Sequence, residues 1–142
     1  MNDAAESGGE PDKETAMPQY LLLIYNPVEG DEAWRKAAKG QEGAVAADEF
    51  AAEQQRWGAF MKDLTEAGAL VHNRGLQGGD AATTVRVRDG ETQITDGPFA
   101  ETKELLASYL LIEVDDLDAA LGWAAQVPSA AHGSVEVRPV WG

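Results

Sequence analysis

The sequence contains no cysteine. That absence excludes disulfides, thiol nucleophiles and thiolate metal sites, and it fits a reducing compartment such as the cytoplasm. Basic residues are also scarce: 11 Lys and Arg face 25 Asp and Glu, giving a net charge of −14 and an isoelectric point near 4.3. So acidic a surface offers no broad basic face to a phosphate backbone or an anionic bilayer, and neither nucleic acid nor a membrane is expected as a direct partner. Apolar residues make up 44% of the 142, yet no run is long enough to span a bilayer. No basic-then-apolar leader opens the chain. The only two histidines, His72 and His132, lack the short spacing of a metal pair, and no metal or cofactor is expected. His72 reads as a satisfied residue of a strand and His132 as a solvated loop residue. Gly78-Gly79-Asp80 is too short for a phosphate loop and lacks its lysine and following helix.

What is present suits a single folded domain. Residues 1–16 carry Asp3, Glu6, Glu10, Asp12 and Glu14 with no large apolar side chain, so a disordered acidic tail is expected there. The domain is placed at 17–142, and Met17 offers an alternative start that an intact mass would check.

Tyr20 to Tyr25 is a continuous apolar run, read as a covered strand ended by Asn26-Pro27. Val28 to Gly43 is polar and Gly-punctuated and reads as a connector with a short helical piece around Trp34, a flap being the alternative. From Val45 to Ala67 the period is helical, with Phe50, Trp57, Met61 and Leu64 as an apolar stripe and Gly68 as the stop. Ala69 to Leu76 reads as a strand. Thr83 to Arg88 and Glu91 to Thr95 form a hairpin across Asp89-Gly90. Ser108 to Val114 is a further strand. A second helix follows, capped by Asp115 or Asp116 and ended before Pro128, and Ser134 to Trp141 closes the chain as a strand. This order predicts an α+β fold of the ferredoxin-like, split βαβ type: an antiparallel sheet with its helices on one face.

Alternation assigns the two sheet faces. Val85, Val87, Leu110, Ile112, Val114, Val135 and Val137 fall on an apolar face expected to meet the helices. The opposite face mixes Tyr109, Glu136 and Arg138 with Leu22, Ile24, Leu111 and Val140, a patch that a monomer seldom exposes. A second copy of the chain is expected to cover it.

The densest stretch is Thr95-Asp96-Gly97-Pro98-Phe99-Ala100-Glu101-Thr102-Lys103-Glu104. Gly97-Pro98 forces a turn, Asp96 is placed to accept nearby backbone N–H groups, and Phe99 is expected to anchor the turn on a core. It reads either as a solvated turn or as a rigid mount presenting Asp96, Glu101 and Lys103 to a pocket.

The run from Asp96 to Glu104 resembles the signature of the DGPF-motif branch of the YCII-related family. Tyr20 to Tyr25, Thr83 to Gly90 and Ser134 to Val140 match the flanking blocks, so the resemblance covers roughly residues 18–141. It implies the dimeric α/β-barrel arrangement, hence a homodimer, and a partner protein among the transcription machinery. The wider group uses a His–Asp pair in the dimer cleft, but Asn26 to Gly43 contains no histidine, so that chemistry does not transfer.

Two functions follow. One is a binding or regulatory module with a cleft at the turn. The other is a cofactor-independent acid–base enzyme on a small anionic metabolite, with Asp96 or Glu101 as acid or base and Arg138 or Lys103 holding the anion. Tyr25, Arg86, Phe99, Tyr109 and Glu136 complete the expected ligand contacts, and Arg138 is expected to pair with Glu136 or Asp96 unless a ligand takes it.

Overall fold

The computed structural model describes residues 17–142; the expected tail at 1–16 lies outside the described residues. Six strands and three helices follow in order: β1 (Gln19–Pro27), α1 (Val28–Ala38), α2 (Ala47–Glu66), β2 (Leu70–Gly75), β3 (Thr83–Arg88), β4 (Glu91–Asp96), β5 (Glu104–Glu113), α3 (Leu117–Gln126) and β6 (Ser134–Pro139). Four strands form an antiparallel sheet in the order β2-β5-β1-β6. Two interleaved β-α-β units built on α2 and α3 give that order, which is the ferredoxin-like fold.

Each element ends for a local reason. Gly68, at φ +72°, closes α2: its N–H reaches the Thr65 carbonyl at 2.9 Å while that of Ala69 reaches Leu64 at 3.2 Å, a Schellman stop. Asp116 caps α3 by accepting from the Ala119 N–H at 2.8 Å. Asp89 (φ +51°) and Gly90 (φ +78°) are both left-handed, as a two-residue hairpin turn requires.

The core lies between one face of the sheet and α2 and α3. Tyr20, Leu22, Ile24, Leu110 and Ile112 of the sheet meet Phe60 and Leu64 of α2 and Ala120 and Ala124 of α3. Burying each of Leu22, Ile24, Leu64 and Ile112 contributes about 1.5–3 kcal/mol. Leu22 and Ile24 therefore belong to the helix-covered face and not to the opposite one. Tyr20, Leu22 and Ile24 of β1 are buried and the residues between them half-buried, a distinction that a run of apolar residues does not display. Phe60, absent from the expected α2 stripe, sits in the core, whereas Met61 packs at its edge.

Three further expectations are corrected. The connector after β1 contains an 11-residue helix, α1. β5 begins at Glu104, ahead of Ser108, because Leu105 and Leu106 still pair with Asn26 and Tyr25 beyond a register shift that skips Ala107. The hairpin β3–β4 forms a separate two-stranded sheet, so Val85, Val87 and Ile94 stay exposed and meet no helix. Among the described residues, no helix is long and apolar enough to cross a membrane.

Candidate functional site

The Asp-Gly-Pro turn is held from three sides. Gly97, at φ +92°, donates to the Ala82 carbonyl at 2.7 Å, and its own carbonyl accepts from the Thr84 hydroxyl at 2.8 Å. The Arg86 guanidinium donates to the Phe99 carbonyl at 3.3 Å, laying the loop along the polar face of the hairpin. At its far end the Lys103 carbonyl accepts the first N–H of α1, from Val28, at 2.9 Å. Pro27 caps that helix without a side-chain acceptor, so the loop satisfies a helix donor that would otherwise lack one.

Between this loop, α1 and the segment 77–81 lies an open groove of about 990 Å³. Pro98, Ala100, Glu101 and Thr102 form one wall, and Asp31, Arg35 and Lys36 of α1 with Lys39 just past its end form another. Asp31 is only 6% exposed, and Arg35 holds it with Nε at 2.5 Å from Oδ2. A carboxylate so far from water needs such a partner. The same guanidinium donates through Nη1 to the Leu76 carbonyl at 2.8 Å, tying α1 to the end of β2. Lys36 pairs with Glu32 at 3.2 Å, while Lys39 makes no ion pair among the described residues.

The sheet face opposite the helices carries the second set of polar groups. One cross-strand row runs His72, Leu111, Leu21 and Arg138, and the next runs Arg74, Tyr109, Leu23 and Glu136. The Tyr109 hydroxyl lies 3.1 Å from His72 Nδ1, so His72 has a side-chain partner on this face. Arg138 pairs with Glu136 two residues earlier on β6, its Nε donating at 2.9 Å, and not with Asp96.

The nine residues singled out from the sequence thus separate into three places. Glu101 alone lines the groove. Tyr109, Glu136 and Arg138 stand on the uncovered sheet face, with Tyr25 next along β1. Asp96 ends β4 opposite Thr83, on the exposed apolar side of the hairpin, and Arg86 braces the loop from the other side. Phe99 anchors nothing: it is 78% exposed, because the turn rests on backbone hydrogen bonds instead of a core contact. The Lys103 side chain is exposed, its carbonyl carrying the link to α1. Sequence reasoning missed Asp31 and Arg35. Their i,i+4 spacing was the available signal, and it carries weight only once the segment is known to be helical. Among the described residues, no three His, Asp or Glu gather as a metal-binding group.

The strands, the hairpin and the groove-forming turn all fall within one family match: the YCII-related domain model covers residues 20–142. An uncharacterised protein of Rhizobium meliloti (strain 1021) is 37% identical over 123 residues, which is 85% of this chain and 90% of that protein. From the second residue of β1 onward the described structure lies inside the match, and the chain belongs to the YCII-related family.

Proposed function

We propose that this domain is a homodimeric binding module whose ligand is a small anion held in the groove beneath the Asp-Gly-Pro turn. The supporting observation is a cluster of cations: three of the chain's 11 basic side chains, Arg35, Lys36 and Lys39, line this one groove, together with the carboxylates of Asp31, Glu32, Asp80 and Glu101. Asp31 and Glu32 already engage the first two, which leaves Lys39 for a ligand. The half-buried strip Leu21, Leu23, Tyr109 and Leu111 on the uncovered sheet face supports a second copy packed against it.

Thermal unfolding with succinate, benzoate and glycerol phosphate tests the groove. An anion at ~100 times its dissociation constant adds about 2.7 kcal/mol and raises the midpoint by several degrees. Lys39→Glu is expected to remove the shift, and Arg138→Ala, distant on the sheet face, to keep it. A shift that survives Lys39→Glu, or no shift with any of the three, refutes the reading. Sedimentation of Leu23→Lys tests the dimer, with a folded monomer expected.

A second reading, acid–base catalysis on the same anion, draws on Glu101 standing in the groove wall. It requires Glu101→Gln to abolish turnover while the anion-dependent shift remains.

A further inference from the structure

A second cavity, of about 460 Å³, lies where α1, α2 and the turn before β6 meet the end of β1. Its walls combine aromatic rings with buried polar atoms. Trp34 of α1 packs on Phe50 of α2, ring centroids 5.6 Å apart and tilted 36°. Trp57, two turns further along α2, completes the apolar wall and backs edge-on against Phe60 at 5.9 Å, so the cavity rests directly on the core.

The polar lining comes from Asn26, Glu53, Gln54, Ser129 and His132. The Asn26 side-chain oxygen is buried and has no hydrogen-bond partner. An orphaned buried acceptor is costly and rare in folded proteins, and Asn26 is one of the residues lining this cavity. Glu53 is 8% exposed and lines the same space. Arg56 donates to its Oε1 through Nε at 2.8 Å, with Nη2 2.7 Å from the same oxygen, and no hydrogen bond among the described residues falls on Oε2. Glu53 and Trp57 are four residues apart, on one face of α2. Opposite them, Ser129 and His132 come from a loop pressed onto β1: a Cβ on Gly133 would lie 2.1 Å from the Tyr25 carbonyl oxygen.

We propose that this cavity binds a small organic ammonium ion on an aromatic or alkyl body. The ammonium donates to Asn26 Oδ1 and Glu53 Oε2, and the body lies against Trp34, Phe50 and Trp57. Both unpartnered atoms accept hydrogen bonds, so the ligand must supply donors. The Glu53 carboxylate, although paired with Arg56, and the aromatic lining suit a cation, and no Lys or Arg lines the cavity to hold an anion. The volume lies within the range of small-molecule sites, about 300–1,000 Å³. This site is separate from the groove at the Asp-Gly-Pro turn and takes the opposite charge.

Calorimetric titration of the full chain with phenethylamine tests the assignment, with 3-phenylpropionate as a probe of similar shape and opposite charge. Saturable binding of one phenethylamine per chain is expected, together with a change in tryptophan fluorescence. Phenylpropionate should bind at least about tenfold more weakly, the factor that corresponds to 1.4 kcal/mol. Asn26→Leu and Glu53→Gln should each weaken phenethylamine by about the same factor, whereas Lys39→Glu should leave it unchanged. Glu53→Gln retains an oxygen for Arg56, so it reads the charge even where Asn26→Leu disturbs the strand. The proposal is overturned by an absence of saturable phenethylamine binding, by equal affinity for the two probes, or by wild-type affinity in folded Glu53→Gln.

Discussion

Replacing Gly133 with alanine is expected to destabilise the domain by at least about 2 kcal/mol, since overpacking typically costs 1–3 kcal/mol. The added Cβ would sit 2.1 Å from the Tyr25 carbonyl oxygen, 3.2 Å from its carbon and 3.3 Å from Asn26 Cα. All three atoms are backbone, and no rotamer change relieves the overlap. Relief requires moving β1 or the loop. β1 is the interior strand that pairs with both β5 and β6, and its Tyr25 lies opposite Ser134, next to the new side chain. The loop is held in turn by the Gly133 N–H donating to the Ser129 carbonyl at 2.7 Å. With a urea slope of roughly 1–3 kcal/mol per molar, a loss of about 2 kcal/mol should lower the midpoint by about 0.7–2 M. Gly58→Ala is the matched control. It lies inside α2 with nothing within 4 Å of its added Cβ, and it should stabilise by about 0.5–1 kcal/mol because alanine suits a helix interior. A Gly133→Ala protein with the wild-type midpoint would falsify the close approach of this loop to β1. Ser129 and His132 would then have no fixed place over the cavity.

Leu64→Ala should cost about 2–5 kcal/mol in the same assay, because Leu64 is wholly buried where α2 meets the sheet. Arg35→Ala should be clearly more destabilising than Lys62→Ala. The first removes the partner of nearly buried Asp31 and a bond to the Leu76 carbonyl, whereas the second removes an exposed pair at 3.6 Å that contributes ~0–0.5 kcal/mol; equal losses would mean that the Asp31–Arg35 pair does not anchor α1. Asp116→Ala should cost about 1 kcal/mol, read as a lower unfolding midpoint, because the Ala119 N–H loses its capping carboxylate.

Much of the architecture was legible before any coordinates. Asp89-Gly90 marks a hairpin turn by the dihedrals it accepts, Asp115 or Asp116 a helix start (the structure uses Asp116), Gly68 a helix end, and Pro98 a break after β4. Each is a short-range steric or hydrogen-bonding fact carried by one or two residues, and each lies where it was read. The split βαβ order follows from the succession of such elements.

Long-range pairing was not legible in the same way. Leu21 to Ile24 are all apolar, and only pairing with Leu110 and Leu111 puts Leu22 and Ile24 under the helices and Leu21 and Leu23 on the open face. The nine residues singled out from the sequence were expected around one cleft at the turn. In the fold, strand alternation and the detached hairpin send Asp96, Phe99 and Arg138 in different directions, and Glu101 alone stays in the groove. Conversely, Asn26, Glu53 and His132 span more than a hundred positions yet line one cavity. Chain geometry is local, whereas a site is a meeting of distant segments, and packing chooses which segments meet.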